Sequence, residues 1–97
     1  MIGVTVTFSY PGDFDRSRIV RVAENARGMF EGMPGLRFKF FTFDEKRQQA
    51  VNFYVWESKE EAERFFSEEL RGRVTDLYGV EPAIEFVDIA EIVDNSD

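Results

Sequence analysis

Several residue types are missing or scarce in this 97-residue chain, which contains neither cysteine nor histidine. That absence excludes disulfides, thiolate nucleophiles, Cys/His zinc sites and imidazole bases. Basic residues are also outnumbered, with 12 Lys and Arg against 19 Asp and Glu, for a net charge of −7. Nucleic acids and anionic membranes bind clustered positive charge, so we expect neither as a partner.

Long apolar runs are absent too. No stretch approaches the ~20 residues of a membrane span. Strand-like sequence begins directly after Met1, without the basic and apolar regions of a signal peptide. We therefore expect a cytoplasmic protein with a single domain over residues 1–97.

A glycine-rich phosphate-binding turn is also missing. The turn after the first strand, YPGDFD, has one glycine and two acids that would repel a phosphate. We expect no flavin, haem or other tightly bound cofactor, and no metal site.

The apolar periodicity predicts the element order β-α-β-β-α-β. IGVTVTFSY alternates as a strand, and residues 13–33 follow helical spacing with Asp13 or Asp15 as the N-cap. Residues 35–58 read as a hairpin around the turn DEKR. Ser58 and Glu61 form a capping box for a second helix, which we expect to break at Gly72. Residues 81–93 supply the last strand.

This order is that of an α+β, ferredoxin-like fold, a four-stranded antiparallel sheet with two helices on one face. The hairpin looks apolar on both faces. Leu36, Phe38 and Phe40 are expected on one side of its first strand, and Phe41 and Phe43 on the other. A large exposed apolar face is unusual in a monomer, so we expect two sheets to pack face to face in a homodimer.

The segment PGLRFKFFTFDEKRQQAVNFYVWESKEEA resembles the core of the YdhR-type mono-oxygenases, relatives of the antibiotic-biosynthesis mono-oxygenases. The positions that carry the resemblance are Pro34-Gly35, Phe38-Lys39, Thr42, Glu45-Lys46, Ala50, Tyr54 and Gly79-Val80-Glu81. It implies a dimeric α/β barrel and cofactor-independent oxygenation of a small aromatic substrate. Haem-degrading relatives carry a histidine where this chain has Phe66, so the resemblance implies no haem ligand.

Three side chains in the second hairpin strand are the candidate catalytic residues. Asn52, Tyr54 and Trp56 project to one side of that strand and offer an amide, a phenol and an indole N–H. Such groups can orient or deprotonate a phenolic hydroxyl and hold a developing oxyanion. The same row is equally typical of a core or a dimer interface, where the polar tips simply find partners.

Phe38, Lys39 and Phe66 are the candidate ligand-binding residues. Lys39, with Arg37, is suited to bind an acidic or enolate ligand, although exposed cations more often pair with acids or face water. Phe66 and Phe65 are suited to line the bottom of a substrate cavity, although their spacing with Ala62 is that of an ordinary core stripe.

Two functions are compatible with these residues. One is a cofactor-independent mono-oxygenase acting on a phenol or quinol, and the other is a non-catalytic dimer that binds a small hydrophobic molecule. A pocket next to Tyr54 or Asn52 would support either, and oxygen uptake would separate them.

Overall fold

A computed structural model describes residues 1–96 of the chain. Those residues form four strands and three helices in the predicted order, with the second helical region divided in two. The elements are β1 (Ile2–Ser9), α1 (Arg16–Phe30), β2 (Leu36–Asp44), β3 (Gln49–Trp56), α2 (Lys59–Phe65), α3 (Glu68–Tyr78) and β4 (Ala83–Asp88). None of the helices in this part of the chain is both long enough and apolar enough to cross a membrane.

The strands form one antiparallel sheet in the order β2-β3-β1-β4, so the ferredoxin-like α+β prediction is confirmed. In the two central strands, Val4 lies opposite Tyr54 and Val6 lies opposite Asn52. These residues join side chains of all three helices in a single core cluster, which places the helices on one side of the sheet. We call that side the helix face, and the opposite side the far face.

Capping side chains fix where the helices begin. The carboxylate of Asp15 accepts a hydrogen bond from the Arg18 N–H, and the Ser58 hydroxyl accepts one from the Glu61 N–H, as predicted. Ser67 caps α3 in the same way, and two acids follow it in the first turn of that helix.

The helical break predicted at Gly72 is wrong. The second helical region is interrupted at Phe66 and Ser67, between α2 and α3, and Gly72 lies inside α3. A glycine inside a helix costs about 1 kcal/mol, which a helix fixed by good caps tolerates. The α3 helix ends at Gly79, which has the left-handed conformation with φ 83°.

A β-bulge near Arg37 changes the expected faces of β2. Leu36 pairs with Trp56, and Phe38 pairs with Val55, so the register shifts between them. Because the bulge adds one residue, Leu36 joins the helix face while Phe38 and Phe40 stay on the far face. The expectation that all three share a side is therefore wrong for Leu36.

The last strand is shorter than predicted and ends at Asp88. β4 pairs only with β1, and Asp88 already lies opposite Ile2, the first residue of β1. One further hydrogen bond, from the Ile89 N–H to the Met1 carbonyl, continues this pairing by one residue. Residues 89–96 have no regular structure and line a space over the far face together with Phe40 and Phe53.

Candidate functional site

The polar row of β3 lies on the helix face and is buried. Asn52, Tyr54 and Trp56 are each no more than 3% exposed. The Asn52 amide donates a hydrogen bond to the Tyr78 hydroxyl at 3.1 Å. The indole N–H of Trp56 has no acceptor among residues 1–96, which leaves a buried donor unsatisfied.

Lys39 on β2 lies directly opposite Tyr54, and its ammonium Nζ donates a hydrogen bond to the Tyr54 hydroxyl at 2.7 Å. The same nitrogen lies 3.5 Å from the ring centroid of Phe30, 4.1 Å from that of Phe41 and 4.2 Å from that of Tyr54. We call these three rings the aromatic cage. Lys39 is therefore partly buried in a cation–π site, and the expectation that it is an exposed cation is wrong.

Burial shifts the ionisation of both partners in this pair. It lowers the pKa of Lys39 to about 7, since the ammonium loses its hydration, although the ring faces of the cage act in the opposite direction. Burial raises the pKa of Tyr54 well above its ordinary value, and the nearby Tyr78 adds to that effect. At neutral pH the site therefore holds a protonated phenol beside an amine that can accept a proton.

Tyr78, at the end of α3, links the polar row to the helices. Its ring stacks on Phe8 at a centroid distance of 3.8 Å, and its backbone carbonyl accepts a hydrogen bond from the Tyr10 hydroxyl at 2.8 Å. Burial raises the pKa of the Tyr78 hydroxyl, while the hydrogen bond from Asn52 opposes that shift. Asn52 thus has a structural partner, and its amide is held in place by Tyr78.

Two spaces border Lys39. The inner cavity lies between the sheet and the helices, has a volume of about 50 Å³, and is lined by Tyr54, Asn52 and Phe66 among others. The outer cleft lies between the end of α1 and the start of β2 and has a volume of about 300 Å³. Lys39, Phe30 and Phe41 line both spaces, so the caged lysine forms the partition between them.

The structure brings most of the predicted site residues together. Phe66 packs edge-on against Tyr54 at 4.9 Å between ring centroids, and both line the inner cavity with Lys39 and Asn52. Trp56 stacks on Tyr54 at 6.2 Å but does not line that cavity. Phe38 projects to the far face, so it lies apart from the buried row and borders both the outer cleft and the space over the far face.

Three aromatic residues of the site were not singled out as site residues from the sequence. Phe30 has the spacing of a helical core stripe, and Phe41 follows Lys39 by two residues, which is ordinary strand alternation. Tyr78 lies past Gly72, where the second helix was expected to break. The packing of α1 and α3 on the sheet brings Phe30 next to Lys39 and Tyr78 next to Asn52, while Phe41 shares β2 with Lys39.

Within residues 1–96, no group of three acidic side chains lies close enough together to hold an ion. The absence of a metal or cofactor stays a prediction.

The fold matches solved structures over nearly the whole chain. SnoaB from Streptomyces nogalater, a cofactor-independent oxygenase, is 14% identical over 95% of each chain with a TM-score of 0.68. The monooxygenase ActVA-Orf6 of Streptomyces coelicolor, solved with nanaomycin D, is 17% identical over 98% of this chain and 92% of its own, also with a TM-score of 0.68. The chain has the fold of these oxygenases. A protein of unknown function from Nitrosomonas europaea shares it as well, with 12% identity over 99% and 95% of the two chains and a TM-score of 0.70.

At such identities the similarity establishes the fold and leaves the reaction to be argued from the site. The ferredoxin-like fold of the single chain that the sequence resemblance implied is confirmed, while the dimeric barrel and the YdhR-type subgroup stay predictions. No protein-family model matches the chain, and no curated protein matches it.

Proposed function

We propose that the chain is a cofactor-independent mono-oxygenase acting on a small phenol or quinol. The observation that carries the proposal is the pair formed by Lys39 and Tyr54, an amine with a pKa of about 7 held against a protonated phenol inside an aromatic cage. The fold shared with two named oxygenases supports it.

The proposed reaction needs only the substrate, O₂ and a base. The neutral amine of Lys39 takes the phenolic proton, and the electron-rich phenolate transfers an electron to O₂. The radical pair combines, forming a C–O bond at the ring. The O–O bond then breaks as the ring carbon loses its C–H proton, and one oxygen atom leaves as water that carries the ring proton and the proton returned by Lys39. A phenol plus O₂ thus gives a quinone plus water.

The other residues of the site would assist this step. Tyr54 stays protonated, so it acts as a positioning residue that orients the Lys39 amine through their hydrogen bond. Asn52, Trp56 and Phe66 hold Tyr54 in a packed, nearly dry interior, where an amine keeps its lowered pKa.

Oxygen uptake tests the proposal directly. The purified protein should consume O₂ with at least one member of a panel of phenols, naphthols and hydroquinones. Its kcat/KM should rise with pH through about 7 and level off above about pH 8, as Lys39 loses its proton. Lys39→Met should lower kcat by about 10²- to 10⁴-fold, which is the usual contribution of a positioned base. A pH-independent rate, or full activity in Lys39→Met, would contradict the role of Lys39.

A second candidate function rests on the far face. A space of about 830 Å³ lies there between Phe38, Phe40, Phe53 and the segment 89–96, large enough for a hydrophobic molecule. A non-catalytic binding protein would take up such a molecule without consuming oxygen.

We also propose that the far face packs on a second copy to form the dimer, and the cytoplasm stays the predicted location.

A further inference from the structure

The substrate class can be narrowed from the outer cleft, and this step rests on the proposed mono-oxygenase function. An aromatic ring of benzene size occupies a cavity of about 150 Å³. The inner cavity, at about 50 Å³, is too small for it, whereas the outer cleft offers about 300 Å³. A phenol that contacts Lys39 without a rearrangement of the core must therefore bind in the outer cleft.

The charge of the outer cleft is opposite to that of the whole chain. The cleft is lined by three basic residues, Arg27, Arg37 and Lys39, and by one acidic residue, Glu31. The chain overall carries 19 acidic and 12 basic residues. A local excess of positive charge on an acidic protein attracts anions to this cleft.

Arg37 is the best-placed anchor for an anion. Within residues 1–96 its side chain makes no ion pair with a carboxylate, and its one side-chain hydrogen bond is a long one of 4.0 Å to the Met1 sulfur. Arg27 pairs with Glu31 across 3.9 Å, and both side chains are largely exposed, so that pair is weak. The planar guanidinium of Arg37 matches a carboxylate in two-point geometry.

We infer that the outer cleft binds a phenol or quinol that carries a carboxylate, with the acid on Arg37 and the phenolic hydroxyl at Lys39. The apolar floor for the ring is supplied by Phe30 and Phe41, which line the cleft on either side of the lysine. Arg37 would set specificity without touching the reacting atoms.

A matched pair of ligands tests this inference separately from catalysis. Binding of 2,5-dihydroxybenzoate and of its neutral amide is measured by calorimetry under argon, so that no turnover is required. The acid should bind at least about 10-fold more tightly than the amide. Arg37→Gln should abolish that preference, Arg27→Gln should reduce it, and Arg47→Gln on the hairpin turn should leave it intact.

Each outcome separates the two proposals. Equal binding of acid and amide, or a preference that survives Arg37→Gln in a variant with an unchanged melting temperature, overturns the carboxylate inference. Preferential acid binding that depends on Arg37, without oxygen uptake when air is admitted, supports the cleft while contradicting the mono-oxygenase function for this substrate. Preferential binding with oxygen uptake supports both.

Discussion

The two faces of the sheet have opposite characters. The helix face is closed, and Val4 and Phe8 in its centre are fully buried. The far face is apolar but open, so that Phe40 is 53% exposed and Val87 is 46% exposed in the single chain. The helix face nevertheless carries the buried polar groups Asn52 and Lys39, while the far face carries exposed aromatic rings beside small polar residues such as Thr5 and Thr7.

That contrast assigns different roles to the two faces. Polar groups are costly to bury, and among residues 1–96 the partners of the Lys39 ammonium are the Tyr54 phenol and the rings of Phe30 and Phe41, so we propose that this lysine is kept for chemistry rather than for stability. Exposed aromatic rings on a sheet are unfavourable in water, and covering them with another surface is favourable. We therefore propose that the reaction takes place on the helix face and that a second copy packs on the far face.

The largest expected effect comes from removing a buried ring on the helix face. Phe8→Ala removes a fully buried ring that stacks on Tyr78, and should lower the free energy of unfolding by about 3–5 kcal/mol at any protein concentration. Phe40→Ala is the far-face counterpart. If the far face is the dimer interface, Phe40→Ala should lower the free energy of unfolding only slightly in dilute protein, and by more as the protein concentration rises. Urea titrations over a 100-fold range (about 1–100 μM) measure both, and a concentration-independent cost for Phe40→Ala would contradict the assignment.

A charge on the far face should break the dimer. Phe40→Glu places a carboxylate on the proposed interface, and should weaken dimerisation by at least ~2 kcal/mol, or about 30-fold. Met29→Glu, on an exposed position of α1, is the control and should leave assembly unchanged. Light scattering over a dilution series gives the result. A wild-type protein that is already a monomer at micromolar concentration would contradict the dimer itself.

Lys39→Met should sharpen the contrast by replacing the caged ammonium of the helix face with an apolar side chain. The folded pKa of Lys39 is about 7 and its ordinary value is 10.5. Below pH 7 both states hold the proton, so the folded protein bears the full cost of the buried ammonium. Between about pH 7 and 10.5 only the unfolded chain keeps that proton, so the stability of the wild type rises with pH.

The methionine variant lacks this ionisation. It should be more stable than the wild type at pH 6, by on the order of 1–3 kcal/mol, and the difference should shrink as the pH approaches 10. Thermal unfolding at a series of pH values provides the comparison, with the exposed Lys46→Met as control. A difference that does not change with pH would show that the pKa of Lys39 is close to its ordinary value.

Local patterns predicted much of this architecture. The alternation of β1 and the caps at Asp15 and Ser58 depend on neighbouring residues only, and each was found where expected. The bulge at Arg37 leaves no such mark, because any residue can occupy it. The end of β4 is set by where β1 begins, which is a contact between the two ends of the chain.

Local patterns also predicted part of the site. The row of Asn52 and Tyr54 follows from strand alternation, but its burial depends on the helices that cover it. Lys39 sits in an alternating strand of an acidic protein, where a lysine is normally exposed. Its cage combines rings from α1, β2 and β3, and no spacing within one element indicates that combination.

The smallest expected effect on stability belongs to Tyr54→Phe, which keeps the ring and removes the hydroxyl that accepts the hydrogen bond from Lys39. At pH 8, where much of Lys39 is neutral, the loss should be about 1 kcal/mol. At pH 6 the loss should be larger, since the ammonium then has no oxygen acceptor and keeps only the ring faces. Turnover should fall at both pH values, and the midpoint of the kcat/KM profile should move below pH 7, because an ammonium without its oxygen partner gives up its proton more readily. Paired melting curves and oxygen-uptake profiles test this. A lower stability with an unchanged pH profile would show that Tyr54 is a core residue and that it does not position Lys39.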